Sequence, residues 1–334
     1  VRTFVVRVAE IFRGAEPPEA GVFLQSVQGA RGALQAEPAP IRPPDHLGRP
    51  GGVVRLSRDL PTLIVPDIHG RMDFLIRVLG YESEPGVRVL NLLAQGRIQV
   101  LCLGDGMHAE GRAAERWRAA LKEFNDGYRR RESMDEEMRE SLGVMAIVME
   151  AKRYFPAHFH FLKGNHENIA NESGGGNFPF RKFALEGLMV SAYMRQFYGE
   201  EILSEMAAFE KELPLLAVGH GFLASHAEPV EFFPEERIVE YREDPEVVAG
   251  LTWTDNGEAD PESVPSMLDA YLGEEAPGAC YFGGHRAVEG GYRLRAAGRF
   301  VQIHDPSRSV IAWCPPSGEI DLDRDVRDIE RPGS

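Results

Sequence analysis

The sequence predicts an α/β sandwich of mixed sheets with helices covering its outside, and three observations predict it. In the first half, short apolar runs alternate with segments of helical periodicity. After Pro214, apolar runs follow one another at hairpin spacing. No fixed-period repeat points instead to a solenoid. The 334 residues, 43% hydrophobic and 27% charged, have the composition of an ordinary globular protein. At about 150 residues per domain this is two average domains or one large sandwich, and its core needs no covalent staples.

Taken in order, Thr3–Val8 alternates and reads as a strand, and the Pro-, Gly- and Ala-rich stretch from about Gly14 to Gly52 reads as a surface excursion. Residues 1–60 are therefore expected to be an N-terminal strand with a Pro/Gly-rich extension. Leu63-Ile64-Val65 is a buried strand ended by Pro66-Asp67, and Met72, Leu75, Ile76 and Leu79 form a helical face. Ile98–Leu103 stops at Gly104-Asp105, and Phe159–Leu162 runs into Gly164-Asn165-His166-Glu167. Between them lies a helical insertion over about 112–155, split near Glu132-Ser133, where Ser133 and Glu136 read as a capping box. Helices follow at about 180–198, 200–212 and 264–272. Strands are expected at Leu215–Val218, Gly221–Ser225, Ala279–Gly283, Tyr292–Ala296, Phe300–His304 and Val310–Cys314. The main domain is set at 61–320 and a C-terminal tail at 321–334.

Charge and cysteine content exclude several functions. Lys and Arg number 37 against 52 Asp and Glu, a net charge of −15 that repels a phosphate backbone and leaves at most a local basic pocket. Neither a nucleic-acid grip nor an anionic-membrane role is expected. Cys102, Cys280 and Cys314 are far apart and odd in number, which argues against a disulfide framework or thiolate zinc. No apolar run approaches the ~18 residues of a membrane span, and the N-terminus lacks a secretory pattern, so a cytoplasmic address is expected. The chain opens on Val1 and not Met, which leaves room for an upstream segment.

The chemistry collects at strand ends. Asp67 and His69, one residue apart after a strand, form a two-ligand clip, and Asp105 between two glycines is free to bridge. Asn165 offers an amide oxygen, with the adjacent His166 left for proton work; His226 and His285 end two later strands. Oxygen and imidazole ligands without thiolates suit Mn, Fe, Zn or Mg at a hydrolytic centre. Two such ions ~3.5–4 Å apart polarise a phosphoryl oxygen and hold a bridging hydroxide for in-line attack.

The segments Asp67-Ile68-His69-Gly70, Gly104-Asp105 and Gly164-Asn165-His166-Glu167, with the separate His226 and His285, resemble the calcineurin-like metallophosphoesterases, particularly the phosphoprotein phosphatases. Leu251-Thr252-Trp253-Thr254-Asp255 and the His285–Tyr292 segment add to the resemblance, which spans about Leu63 to Trp313. It implies a four-layer α/β/β/α sandwich and two divalent metal ions. Asp67, His69 and Asp105 would bind the first, and Asp105, Asn165, His226 and His285 the second, with His166 protonating the leaving alkoxide.

Departures from the family pattern bear on the chemistry. Pro66 stands where the family has Gly. The segment Gly104–Glu110 stands where it reads Gly-Asp-x-x-Asp-Arg-Gly, so His108 replaces the Asp that pairs with the catalytic His and Ala109 replaces a phosphate-gripping Arg. Glu110 or Glu167 are candidates to compensate for the Asp. Arg286, Arg181 or Lys182 are candidates for the missing clamp.

The remaining histidines have plainer readings. Gly219-His220-Gly221 reads as a hairpin turn, His158 and His160 as half-buried packing, and His46 shows no partner. His304 before Asp305-Pro306 is accounted for by turn chemistry as well as by a place at the mouth of the site. Met134, Met138, Met145 and Met149 read as core, Arg112–Arg131 as a solvated helix face, and Gly174–Gly176 as either a flexible lip or a plain loop.

The expected function is a binuclear-metal phosphomonoesterase of the serine/threonine-phosphatase type. The alternatives are a nucleotide or small-molecule phosphodiesterase or pyrophosphohydrolase on the same scaffold, and a pseudo-phosphatase that acts as a binding module.

Overall fold

Two sheets stacked face to face carry the chain in this computed structural model, which describes residues 1–330. Its first 60 residues correct the sequence reading. Arg2–Arg13 is a helix (α1) and not a strand: Phe4, Val8, Ile11 and Phe12 recur at helical spacing, a pattern the β-branched run around Val5-Val6 obscures. Phe4 and Val8 are buried, and Phe4 packs against Tyr154 and Phe155. Ala20–Gln35 is a second helix (α2), capped by the Glu19 carboxylate, which accepts from the N–H groups of Gly21 and Val22.

The expected surface excursion is thus largely core. Phe23, Val27, Ala30 and Leu34 form a buried stripe on α2. The following loop is pinned from inside: Arg42 is buried, donates to the Gly51 carbonyl and pairs with Glu37 at 2.8 Å, and Lys152 donates to Glu37 at 2.5 Å. His46, exposed, pairs with Glu240 at 2.6 Å. The chain then enters β1 (Val53–Arg55).

The strand–helix alternation follows as expected. After β2 (Thr62–Val65) come α3 (Met72–Gly80), a small hairpin of β3 (Glu82–Glu84) and β4 (Val87–Arg88), α4 (Val89–Ala94) and β5 (Gln99–Cys102). The insertion is α5 (Ala114–Asn125) and α6 (Glu132–Tyr154), leading to β6 (Phe159–Phe161). The capping box does not form. The N–H groups of Ser133 and Met134 donate instead to the Glu123 carboxylate at 3.0 and 2.9 Å, so the last turn of α5 caps α6. The four methionines of α6 are buried.

Next come α7 (Glu186–Phe197), α8 (Glu200–Glu212), the hairpin β7 (Leu216–Gly219) and β8 (Phe222–Ser225), then α9 (Glu235–Val239), α10 (Pro245–Thr252) and α11 (Ser263–Leu272). The chain closes with β9 (Cys280–Gly283), β10 (Arg293–Arg295), β11 (Phe300–Gln302), β12 (Val310–Cys314), α12 (Leu322–Asp325) and β13 (Val326–Asp328). Within the expected 321–334 tail, β13 pairs antiparallel with β12, and residues 331–334 lie outside the described residues.

One sheet has the order β13-β12-β2-β5-β6 and the other β1-β7-β8-β9-β11-β10. Side-chain alternation sorts the core into layers. Ile64 and Leu101 from the first sheet meet Ala224, Phe282 and Val301 from the second between the sheets. Leu63, Val65 and Val100 face the helices α1 to α8, while Leu223, Tyr281 and Phe300 face α9 to α11. The result is the four-layer α/β/β/α arrangement. Among the described residues no helix is long and apolar enough to cross a membrane.

Parallel pairing determines where the polar residues go. In the first sheet β2, β5 and β6 are parallel; in the second, β8, β9 and β11 are parallel. Neighbouring parallel strands end on the same edge, the place where open α/β sheets collect their polar loops.

Candidate metal centre

Six strand ends meet at this edge. β2 leads to Asp67 and His69, β5 to Asp105, β6 to Asn165 and His166, β8 to His226, β9 to His285 and β11 to His304. The loops are held tightly. Ile68 and His69 donate their N–H groups to the Asp105 carbonyl at 3.1 and 2.8 Å, and the Glu167 carboxylate accepts from the N–H groups of Gly164, Asp105 and Gly106 at 2.7 to 2.9 Å. Glu167 is thus a clasp between two loops and does not replace the family carboxylate beside His166.

The clasped loops bear strain. His69, Asp105, His108 and His285 have φ of 46, 51, 62 and 64°, a region that costs a side-chain-bearing residue on the order of 1–3 kcal/mol and clusters at functional sites. Two glycines allow the close approach: a Cβ on Gly284 would strike Asp67 Oδ1, and one on Gly164 would strike Asp105 Oδ1.

The six residues read from sequence as ligands come together. His69 Nδ1 lies 3.0 Å from the His108 carbonyl, to which it donates, so its Nε2 turns inward, 3.6 Å from Asp105 Oδ2 and 3.9 Å from Asp67 Oδ2. His226 Nδ1 donates to the Leu103 carbonyl at 3.0 Å, leaving Nε2 2.9 Å from Asn165 Oδ1 and 3.4 Å from Asp105 Oδ2. His285 Nδ1 sits 3.0 Å from the same Asn165 oxygen, and its N–H donates to Asp67 Oδ2 at 2.9 Å. Asp105 Oδ2 therefore lies within 3.4 to 3.7 Å of His226, His69 and His166.

Fixing one imidazole nitrogen to a carbonyl so that the other points inward is the arrangement metal-ligating histidines adopt. Asp67 Oδ1, His285 Nε2 and His304 Nδ1 are buried with no hydrogen-bond partner among the described residues. Such orphaned lone pairs are costly unless something cationic completes them. Burial opposes ionisation of Asp105, yet the surrounding His166, His226 and His69 hold its carboxyl well below the usual range. Burial likewise disfavours charge on His226, but Asp105 and Asp67 outweigh it and raise the ring to about 9. The field that would keep a proton there is one that attracts a cation. Buried oxygen and imidazole donors without a thiolate fit divalent ions of the Mn, Fe, Zn or Mg type.

His166 lies beside this cluster, its N–H donating to Asp105 Oδ1 at 2.9 Å and its Nε2 3.7 Å from Asp105 Oδ2. His108 contacts it, Nδ1 to Nδ1 at 2.9 Å, in the place where the family resemblance puts an Asp. Burial pushes His108 down to about 3 and His166 well below the ordinary imidazole range, so both rings are neutral at pH 7. The chain turns at Gly174–Gly176, all three with positive φ, and Phe180 then covers the pair, stacked on His108 at 5.3 Å and 3.8 Å from His166.

The expected anion-binding arginines are placed differently. Arg286 is engaged by Asp255 through two hydrogen bonds of 2.8 Å, and Arg181 is exposed. Lys182 and Arg112 instead line a cavity of about 410 Å³ beside His69, with Lys182 Nζ 3.5 Å from Glu110 and Arg112 3.3 Å from the His69 carbonyl. Arg112 therefore faces this cavity in addition to solvent. His220 stays in its hairpin turn, its Nδ1 donating to the Pro316 carbonyl at 2.8 Å.

Sequence reasoning left His304 undecided, and the structure buries it in the cluster. The signal was present: His304 follows its strand as His226 and His285 follow theirs, and β11 runs parallel beside β9. Its partner Glu110 lies 194 residues away, beyond the reach of a spacing argument.

No protein-family model and no curated protein matches this chain. Among solved structures, it is similar to a protein serine/threonine phosphatase from Saccharomyces cerevisiae with similarity to human phosphatase PP5, at 15% identity, TM-score 0.57, covering 98% of this chain and 94% of that one. It is also similar to a cold-active protein-tyrosine phosphatase of a psychrophilic Shewanella, at 11% identity, TM-score 0.47, covering 87% and 83%. The first likeness spans nearly the whole of both chains, and the fold is the calcineurin-like sandwich expected from the motifs.

Proposed function

We propose that the protein is a metal-dependent phosphoester hydrolase that holds two divalent ions between its sheets and cleaves phosphomonoesters of the phosphoserine or phosphothreonine type. The observation that carries this reading is the convergence of Asp67, His69, Asp105, Asn165, His226 and His285 around one central carboxylate oxygen, with His166 alongside. Asp67, His69 and the shared Asp105 would hold one ion; Asp105, Asn165, His226 and His285 would hold the other. When bound, such ions supply Lewis acidity toward the phosphoryl oxygens and a nucleophile at neutral pH.

His166 supplies the leaving-group proton, and His108 places it. Two neutral imidazoles facing Nδ1 to Nδ1 share one N–H. The buried Nε2 of His108 has no partner, and an orphaned lone pair is tolerated better than an orphaned N–H. His108 therefore donates from Nδ1, which leaves His166 carrying its proton on Nε2, on the side of Asp105 where the ester must lie. An Asp carboxylate, the family residue at this position, accepts a hydrogen bond from His166 Nδ1–H and cannot impose this tautomer.

Of the four cations weighed for the phosphate, Arg286 is held by Asp255 and Arg181 is exposed, whereas the cavity beside His69 is lined by Lys182 and Arg112. The last two favour a second reading, a small-molecule phosphodiesterase or pyrophosphohydrolase, because they line an open cleft of about 410 Å³, large enough for a small molecule. Three free cysteines, two of them buried, are consistent with a cytoplasmic location.

The test is turnover of a phosphoserine peptide, an aryl phosphate and a dinucleoside polyphosphate with Mn added, by the protein and by His166→Asn. Hydrolysis of the first two, with the peptide rate falling ~10²–10⁴-fold in the variant, supports the proposal. Preference for the polyphosphate selects the second reading. No turnover of any substrate by metal-loaded protein, with the variant indistinguishable, makes the protein a binding module.

A further inference from the structure

His304 sits at the end of β11 with nothing in the family resemblance to explain it. It is fully buried, yet only one of its ring nitrogens is satisfied. Nε2 lies 2.8 Å from a carboxylate oxygen of Glu110, while Nδ1 has no partner among the described residues and lies 4.0 Å from Asp67 Oδ2. His69 Nε2 lies 3.9 Å from that same Asp67 oxygen, and the two rings are 5.4 Å apart, tilted by 59°. Ligand bonds of about 2.1 Å allow two donors of one ion to be up to about 4.2 Å apart, so both separations suit a common cation.

We propose that His304 is an additional ligand of the first-ion site, oriented by Glu110, so that Asp67, His69, His304 and the shared Asp105 surround that ion. The inference rests on the metal-centre reading above and adds a residue to it. An unpaired buried acceptor is costly, and unlike the unpaired Nε2 of His108 that of His304 lies in a group with the donor atoms of Asp67 and His69. Here a carboxylate fixes the tautomer and aims the free lone pair at two other donors, as carboxylate–histidine–metal triads do.

Glu110 and His304 belong together in this chain. Glu110 stands where the family pattern has Gly, so the carboxylate that orients His304 is one of this chain's departures from that pattern. Glu110 also spans the site: its other oxygen lies 3.6 Å from His69 Nε2 and 3.5 Å from Lys182 Nζ. A second imidazole makes the first site two carboxylates and two histidines, a set that favours Co, Zn, Fe or Mn over Mg.

Equilibrium dialysis against Co2+ and against Mg2+, with bound metal counted by mass spectrometry, tests this on the full chain as wild type, His304→Ala, His304→Gln, Glu110→Gln and His226→Ala. The wild type should bind two Co2+. Glu110→Gln should weaken one of them about 10- to 100-fold, and both His304 variants should weaken that same ion at least as much while narrowing the preference for Co2+ over Mg2+. The visible absorption of bound Co2+ should change with His304 and change differently with His226→Ala, which perturbs the other ion. Circular dichroism in chelator checks folding; if the His304 variants fail to fold, Glu110→Gln decides. Two Co2+ at wild-type affinity in every folded His304 and Glu110 variant would overturn the inference and leave the metal centre standing. A wild type that binds no metal would overturn the metal centre itself.

Discussion

A neutral imidazole at position 108 changes what is asked of His166. A carboxylate there would stabilise imidazolium, whereas His108, held neutral by burial, leaves His166 well below its ordinary range. The acid form available at neutral pH is then the neutral ring with its proton on Nε2, a weak donor. His108→Asp should raise the His166 pKa by about 1–3 units, because an opposite charge favours the protonated ring. On an alkyl phosphate, whose leaving group needs a proton, the variant should be faster while its His166 is imidazolium and its kcat/KM should fall as pH rises through the raised pKa, a limb that the wild type, already neutral there, does not show. On an aryl phosphate with a good leaving group the profile should not move. Superimposable pH profiles for variant and wild type on the alkyl ester would remove His108 from any role in tuning the acid.

The N-terminal elements show where sequence reading stops. Strand ends were legible because each apolar run stops at Gly-Asp, Gly-Asn-His or a lone His, chemistry that announces itself within a few residues. Helix α1 was not, since its β-branched residues fit alternation locally and only burial against Tyr154 and Phe155 selects the helical register. Helix α2 was hidden by its glycines and alanines, whose value lies in close approach: a Cβ on Gly29 would crowd the Arg153 stem at 2.9 Å. The loop after α2 depends on a charge buried among three cationic or ionisable partners. Burial works against the Glu37 carboxylate, but His160, Lys152 and Arg42 together hold it down to about 2. Its folded pKa lies below the ordinary 4.5, so this group contributes stability that is fully present above about pH 4.5 and lost as pH falls toward 2. Glu37→Ala should cost about 3–5 kcal/mol at neutral pH, since it strands buried Arg42 and Lys152, and should remove that part of the acid sensitivity. Urea unfolding of both proteins at pH 7 and pH 3.5 measures this. A variant within 1 kcal/mol of wild type at pH 7 would mean that the loop is held by packing alone.

At the scale of the whole molecule, the centre is also the joint between the two sheets. Asp67, His69, Asp105 and Asn165 come from strands of one, and His226, His285 and His304 from strands of the other. An ion bound among them links the layers, and the unfolded chain, which scatters these residues over 238 positions from Asp67 to His304, has no equivalent site. Binding to the folded state alone adds about 4.1 kcal/mol when free metal stands at 1,000 times its dissociation constant. The net charge of −15 works in the same direction, because an acidic surface concentrates divalent cations near the edge where the strands end. Chelation should therefore lower the thermal midpoint by several degrees, at roughly 2–4 °C per kcal/mol or somewhat less for a chain of this size. Added Mn2+ should restore it, with a shift that grows with the logarithm of free metal. His226→Ala, which removes a donor from the second sheet, should flatten that dependence more than it lowers the midpoint in chelator. Phosphate added without metal should leave the midpoint unchanged, which separates an ion-linked joint from simple anion binding at Arg112 and Lys182. A wild-type midpoint that ignores both chelator and Mn2+ would mean that the sheets are held by their shared apolar layer alone, and that the buried donors converge for some other cation or none.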